Sequence, residues 1–381
     1  MIYLDNASTT KVFPKALETF EKVSKEFFFN SSSLYATKER EILTEAKEVI
    51  AKEIGATADE IYFCSGGTEA NNLAVFGGVK NKIKLVLSSE GEHPSVYESI
   101  KSLIGKGFNV KFAPLTRDTS VYSDKLVQLA GKDCGFISLI HASNETGTIN
   151  DISEFFSRIK NNNPKVITHS DGVQAFLKIP VNVKELGVDL YSISAHKIGG
   201  VKGVGVLYIK KGVHINPIIL GGGQERGIRS GTENIAGIVA FSEAVKEYKR
   251  FNKSSCFQSL RDIFLQKIKE ESEKVKVCSF VVNNASNTKN QLTNILSLSI
   301  IGIQAEVLQR ILADKDKIFI GLGTACSSNK KGNRVLQASG RTVKEIAGNI
   351  RISFGIETKA EEVIEAANKI VLRAGELLEN R

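Results

Sequence analysis

Short apolar runs alternate with amphipathic stretches over the first half of this chain. The runs at 61–64, 84–88, 136–141, 166–169 and 190–194 are separated by Gly-rich turns and are often β-branched. That pattern predicts strands buried on both faces. Between them, 68–79, 123–130 and 152–162 carry apolar residues at helical spacing. The alternation predicts an α/β protein with a mainly parallel sheet and helices on both sides. In such sheets, ligands collect outside the carboxyl ends of the strands. Four polar segments fall there: SGGTEANN at 65–72, HASNETG at 141–147, SDGVQA at 170–175 and SAHK at 194–197.

A long helical region, about 233–276, then leaves this pattern, and the rhythm restarts. Strands are expected at 295–300, 318–321 and 350–354, and helices at 305–313 and 360–378. These predict a smaller α+β domain, joined by the extreme N-terminus. The expected division is 15–250 for the large domain, and 1–14 with 251–381 for the small one. A length of 381 residues agrees with two domains, since single domains commonly run about 100–200 residues.

Composition narrows the class. With 42% hydrophobic and 24% charged residues, the chain can bury a core and stay soluble. The opening MIYLDNASTT has neither the basic start nor the apolar run of a secretory signal. No stretch approaches the roughly 20 apolar residues of a membrane span, so the cytoplasm is the expected location and no membrane partner is expected. Five cysteines without CxxC spacing argue against a metal site and a disulfide framework. They suit a reducing compartment, where one thiol can act as a reagent. The net charge of +9 comes from Lys and Arg spread along the chain rather than gathered in a block, so direct nucleic-acid binding is not expected.

Taken singly, each candidate residue has an ordinary reading beside a chemical one. Lys197, at a strand end before the glycines of IGGVKGVG, can be a solvated loop charge or can form a Schiff base with an aldehyde cofactor. The helix start at Gly67 and Thr68 can be a capping box or a phosphate site. Asp171 can cap a turn or pair with a protonated pyridine nitrogen. His93 can start a helix or stack on a planar ring. Asn144 can shape a turn or bond a ring oxygen or a substrate carboxylate.

Their joint order, each just after an expected strand, resembles the class V aminotransferase group of the pyridoxal 5'-phosphate (PLP) fold-type I enzymes. GGGQERGIRSGTEN at 221–234, GTACSS at 323–328, NIRISFG at 349–355 and the opening YLDNASTT resemble the cysteine desulfurases within that group. The resemblance spans residues 3–355. It implies a large domain with a mainly parallel seven-stranded sheet flanked by helices, plus a smaller α+β domain carrying the catalytic cysteine loop. It also implies PLP on Lys197, His93 against the ring, Asp171 on the pyridine nitrogen and Gln174 on the phenolic oxygen. Gly67, Thr68, Ser194 and His196 would hold the phosphate, with Thr232 reaching the phosphate of a neighbouring subunit in a homodimer. Asn144 and Arg351 would bind the carboxylate of L-cysteine. Cys326 would be the nucleophile that receives sulfur, its thiolate supported by Lys330, Lys331 and Arg334; Cys64, Cys134, Cys256 and Cys278 would be buried, inert thiols.

The ACSS loop resembles the long-loop subgroup, which implies delivery to acceptors such as an iron–sulfur scaffold or a tRNA-thiolation enzyme. The chain departs from the family at 29–35, where FNSSSLY replaces GNPSS-x-H, and at Gln224, where histidine is usual. Selenocysteine lyase, another class V aminotransferase-type enzyme and a non-catalytic platform for sulfur-transfer partners are the alternatives. Lys197 and Cys326 argue against the last, and Cys326 against an aminotransferase.

Overall fold

A computed structural model of the chain describes residues 1–80, 82–251, 254–275, 279–284, 288–323 and 333–379. Strand β1 (Ile2–Leu4) opens the chain, followed by helices α1 (Pro14–Glu26) and α2 (Thr37–Lys52). The alternation then runs β2 (Ile61–Cys64), α3 (Gly67–Gly78), β3 (Leu85–Ser89), α4 (Pro94–Ser102), β4 (Asn109–Ala113) and α5 (Ser123–Ala130). It continues through β5 (Cys134–Ile140), α6 (Ile152–Asn162), β6 (Ile167–Asp171), β7 (Leu190–Ser194), β8 (Gly205–Ile209) and α7 (Ile235–Arg250).

These strands form one seven-stranded sheet in the order β2-β8-β7-β6-β5-β3-β4. The run from β4 to β7 is parallel, while β8 is antiparallel to both β7 and β2. The mainly parallel α/β sheet expected from the sequence is thus present. Edge strand β4 escaped the apolar pattern because it alternates: Asn109 and Lys111 are exposed, Val110 and Phe112 only half-buried.

The inner strands are buried almost throughout, polar residues of β6 included, because successive side chains point to opposite faces and helices cover both. Ile137, Leu139, Tyr191 and Ile193 enter the core under α1, α2, α6 and α7. Phe136 and Leu190 enter the one under α3 and α4. Burying each such side chain contributes about 1.5–3 kcal/mol.

The chain then continues through α8 (Ser254–Val275), β9 (Phe280–Val282), β10 (Ile295–Ile300), α9 (Ala305–Ile311) and β11 (Ile318–Leu322). It ends with α10 (Arg334–Ala338), α11 (Val343–Ala347), β12 (Asn349–Ser353) and α12 (Ala360–Glu379). A second sheet has the order β1-β11-β12-β10-β9, with β1 parallel to β11 through Ile2↔Ile318. Phe264 of α8 and Ile370 of α12 pack with Leu298 and Ile352 in its core. Among the described residues no helix is long and apolar enough to cross a membrane.

Candidate active site

The carboxyl ends of β3, β5, β6 and β7 and the N-terminus of α3 meet at a cavity of about 380 Å3. Gly67, Thr68, His93, Asn144, Asp171, Gln174, Ser194, His196, Lys197 and Arg351 all line it. Parallel strands deliver their ends to one edge, which is why residues more than a hundred positions apart converge.

Asp171 is the last residue of β6. Its Oδ1 accepts from the Val173 N–H at 3.0 Å and its Oδ2 from Asn71 Nδ2 at 2.8 Å. The next residue must be glycine, since a Cβ on Gly172 would overlap the ring of Tyr191. His93 is the N-cap of α4, with Pro94 at the first helical position. Its Nδ1 accepts from the Ser95 N–H at 3.2 Å. A backbone N–H can only donate, so the neutral ring carries its proton on Nε2. Burial lowers the His93 pKa against the opposing charge of Asp171.

Lys197 ends the tight turn after β7. Its Nζ donates to the carbonyls of Ala7 and Ser8, each at 2.7 Å. Burial, then the charge of Arg351, lowers its pKa to about 8. Gly199 completes the turn at φ +83, with the Phe13 ring where a Cβ would sit. His196 is pushed down to about 4 by burial and the Lys197 charge, and its Nδ1 lies 3.1 Å from Thr9 Oγ1.

At the α3 start, the N-cap Gly66 offers no side chain to the first N–H groups. The nearby Ser194 Oγ is buried and has no hydrogen-bond partner. Arg351, in the middle of β12, reaches across from the second sheet. Its Nη2 donates to Asp5 Oδ1 at 2.8 Å and Ser8 Oγ at 2.6 Å, and its Nη1 to the Asn144 carbonyl at 2.8 Å. Its Nε is buried without a partner. Asn144 Nδ2 donates to Glu145 Oε1 at 2.9 Å, and Asn333 Nδ2 to Glu145 Oε2 at 3.1 Å.

Other expected residues lie elsewhere. Thr232 is exposed and lines a separate recess of about 110 Å3 with Cys64 and Arg229. Cys326, Lys330 and Lys331 lie outside the described residues, as does Cys278. Arg334 is committed to the carbonyls of Glu90 and Glu92 and stacks on Tyr97 at 3.8 Å, so its guanidinium serves the β3–α4 connection rather than standing free for a thiolate. Cys64 and Cys134 are buried as expected, and burial pushes the Cys134 thiol up to about 12. Cys256 corrects the expectation: it is exposed, because it sits on the outer face of α8. In the divergent segment, Ser31 turns inward and donates to Glu233 at 2.6 Å, while Phe29, Leu34 and Tyr35 are exposed.

The sequence reading missed several contributors. Asn71 and Ser95 line the cavity, as do Ala7 and Ser8, and Asp5 pairs with Arg351. Asn71 carried a usable signal: it stands four residues after Gly67 and therefore on the same helix face. Asp5 and Ser8 fall in the family-like opening YLDNASTT, but no local pattern gave them a role, because their partner is more than three hundred residues away.

The family described as Aminotransferase class-V matches residues 2–365. A protein of Dictyoglomus turgidum named cysteine desulfurase IscS is 38% identical over 376 residues, covering 95% of this chain and 91% of its own. A putative cysteine desulfurase IscS 1 of Bacillus subtilis is 33% identical over 378 residues, 97% of each chain. The solved structure of a NifS-like protein matches over 100% of both chains, with a TM-score of 0.86 and 31% identity.

Proposed function

The chain belongs to the class-V aminotransferase family and is a PLP-dependent cysteine desulfurase, and from that premise we propose how its own residues divide the work. The residues around the cavity fit the cofactor. The uncapped start of α3 and the unpartnered Ser194 hydroxyl suit a phosphate. The Asp171 carboxylate suits a protonated ring nitrogen, and an amine lowered to about 8 suits an aldehyde. Gly67, Thr68, Ser194 and His196 would hold the phosphate, Asp171 the ring nitrogen, Gln174 the phenolic oxygen and Lys197 the aldehyde carbon, with His93 against the ring. Bound there, PLP supplies an electron sink for the pair released at the substrate's α-carbon.

The protein's own groups do the rest. The lowered Lys197 amine can take and return a proton at Nζ near neutral pH. His93 holds its proton at Nε2 because Nδ1 is engaged by Ser95. Arg351 and Asn144 would bind the carboxylate of L-cysteine, with the buried Arg351 Nε–H still unspent. The Cys326 thiolate would attack the substrate sulfur. An S–S bond forms as the carbon–sulfur bond breaks, the electron pair stays with carbon, and protonation there yields alanine. The observation that carries this reading is a lysine amine and an anchored aspartate facing one cavity, beside an orphan hydroxyl at a helix start.

The finer reading also includes a homodimer, a cytoplasmic location, and persulfide delivery to an iron–sulfur scaffold or a tRNA-thiolation enzyme. The homodimer is supported by exposed Thr232, which lines a recess other than its own chain's active-site cavity, and by the exposed Phe28, Leu34, Tyr35 and Leu220. The proposed division is 15–250 for the large domain, and 1–14 with 251–381 for the small one. The test is to incubate the PLP-loaded protein with L-cysteine and a reductant and assay sulfide and alanine, with Cys326→Ala alongside. Wild type should yield both in equal amounts. The variant should keep the visible absorbance of bound PLP and release almost none of either product. Equal activity in the two proteins would overturn the Cys326 mechanism and favour direct release, as in a selenocysteine lyase.

A further inference from the structure

Gln174 is buried, and its two ends meet different partners. Nε2 donates to the Ala7 carbonyl at 2.9 Å, and Oε1 accepts from Lys178 Nζ at 2.6 Å. An amide can in principle be turned end for end, but not here. Turning it would set two carbonyl oxygens against each other and an NH2 group against the Lys178 amine. Both partners favour the same orientation: the Ala7 carbonyl can only accept, and the Lys178 amine donates to Oε1.

The placement of Lys178 is itself unusual. Leu177, just before it, has φ 57, a left-handed conformation that side chains other than Asn and Asp rarely adopt. That turn brings the lysine back onto the residue four positions earlier. Its stem lines a cavity of about 790 Å3 that shares Lys197 with the active-site cavity. The charges acting on its amine, Lys197 and Arg351, are both cationic; Glu247, Glu357 and Glu362 line the same cavity. Burial, and then the Lys197 and Arg351 charges, lower the Lys178 pKa to about 7; an amine held at that cost on a strained turn touches the Gln174 amide.

We propose that Lys178 is a positioning residue: it locks the Gln174 amide so that an N–H, never a carbonyl, faces the cofactor's phenolic oxygen. This rests on the reading of Gln174 as the phenolic-oxygen partner. The Gln174 NH2 has two hydrogens. Ala7 takes one, and the other remains for the cavity. An N–H there stabilises the ionised phenolic oxygen, whereas a carbonyl would repel it.

The test reads the bound cofactor, not turnover. The PLP-loaded wild type, Lys178→Met, Lys178→Arg, Gln174→Ala and the double variant Lys178→Met/Gln174→Ala are titrated with pH, following the visible absorbance. Lys178→Met and Gln174→Ala should each move the midpoint upward by about 1–2 pH units, the size of a lost hydrogen bond to a charged group. The double variant should move no further than Gln174→Ala alone, since the lysine acts through the amide. Lys178→Arg keeps a donor-only head and should stay near wild type. Should Lys178→Met fail to fold, Lys178→Leu is read the same way. An unmoved midpoint in Lys178→Met beside a moved one in Gln174→Ala overturns the proposal and leaves the Gln174 reading intact. Additive shifts in the double variant overturn it too. An unmoved Gln174→Ala removes the underlying reading, and the proposal with it.

Discussion

The depressed pKa of Lys197 makes cofactor capture a direct test of the site. The amine falls from the usual lysine value of 10.5 to about 8. At about pH 7.5 the neutral, nucleophilic fraction therefore rises from about 0.1% to about a quarter, a gain of roughly two hundredfold. The assay mixes cofactor-free protein with PLP and follows the visible band by stopped flow from pH 6 to 10 (about the usable range). The rate should climb and level off with a midpoint near 8. Arg351 lowers the Lys197 pKa and Asp5 raises it, so the midpoint should move up in Arg351→Gln and down in Asp5→Asn. Each shift should be about 0.5–1 unit, for partly screened charges a few ångströms away. The same depression destabilises the native state below pH 8, where the buried amine is charged. That cost fades as pH rises from 8 towards 10.5. A wild-type midpoint close to 10, or shifts of the same sign in both variants, would refute the electrostatic account.

Two further outcomes follow from buried groups around the cavity. Gly172→Ala would drive a methyl group into the Tyr191 ring beneath Asp171. Overpacking of this kind costs about 1–3 kcal/mol, so the urea midpoint should fall with an unchanged slope, together with PLP affinity. Glu92 is raised to about 8 by burial despite hydrogen bonds from Ser89 and the Ile140 N–H. Its folded pKa is raised, so wild-type stability should decline between about pH 4.5 and 8, as the unfolded carboxyl ionises first. Glu92→Gln, which mimics the neutral acid, should flatten that decline in denaturant melts taken across this range; an unchanged slope would count against a protonated Glu92.

Much of the site was legible because it obeys local rules. Asp171, Lys197 and Asn144 stand just past apolar runs, and the periodicity that marks a strand also marks its end. His93 before Pro94 reads as a helix start and proves to be one. Other features resisted. β4 is an edge strand with one face in solvent, so it lacks the continuous apolar run. Cys256 looked like any other small core residue, and its exposure depends on how α8 is rotated against its neighbours. Arg334 resembled a free cation in a basic loop, and only the fold brings the Glu90 and Glu92 carbonyls to it.

What the order of residues determined by itself is the alternation of elements, the strand-end positions of the reactive groups, and the chemistry those groups can perform. Hydrophobic spacing and backbone geometry act within a few residues, so this information survives in a linear reading. Only the tertiary structure decided that the N-terminal Asp5, Ala7 and Ser8 close over Lys197 and Arg351, that Lys178 turns back onto Gln174, and that Lys197 is desolvated enough to be reactive. Those outcomes depend on contacts between distant segments and on the exclusion of water. Both exist only after the two sheets have packed, and no local pattern encodes them.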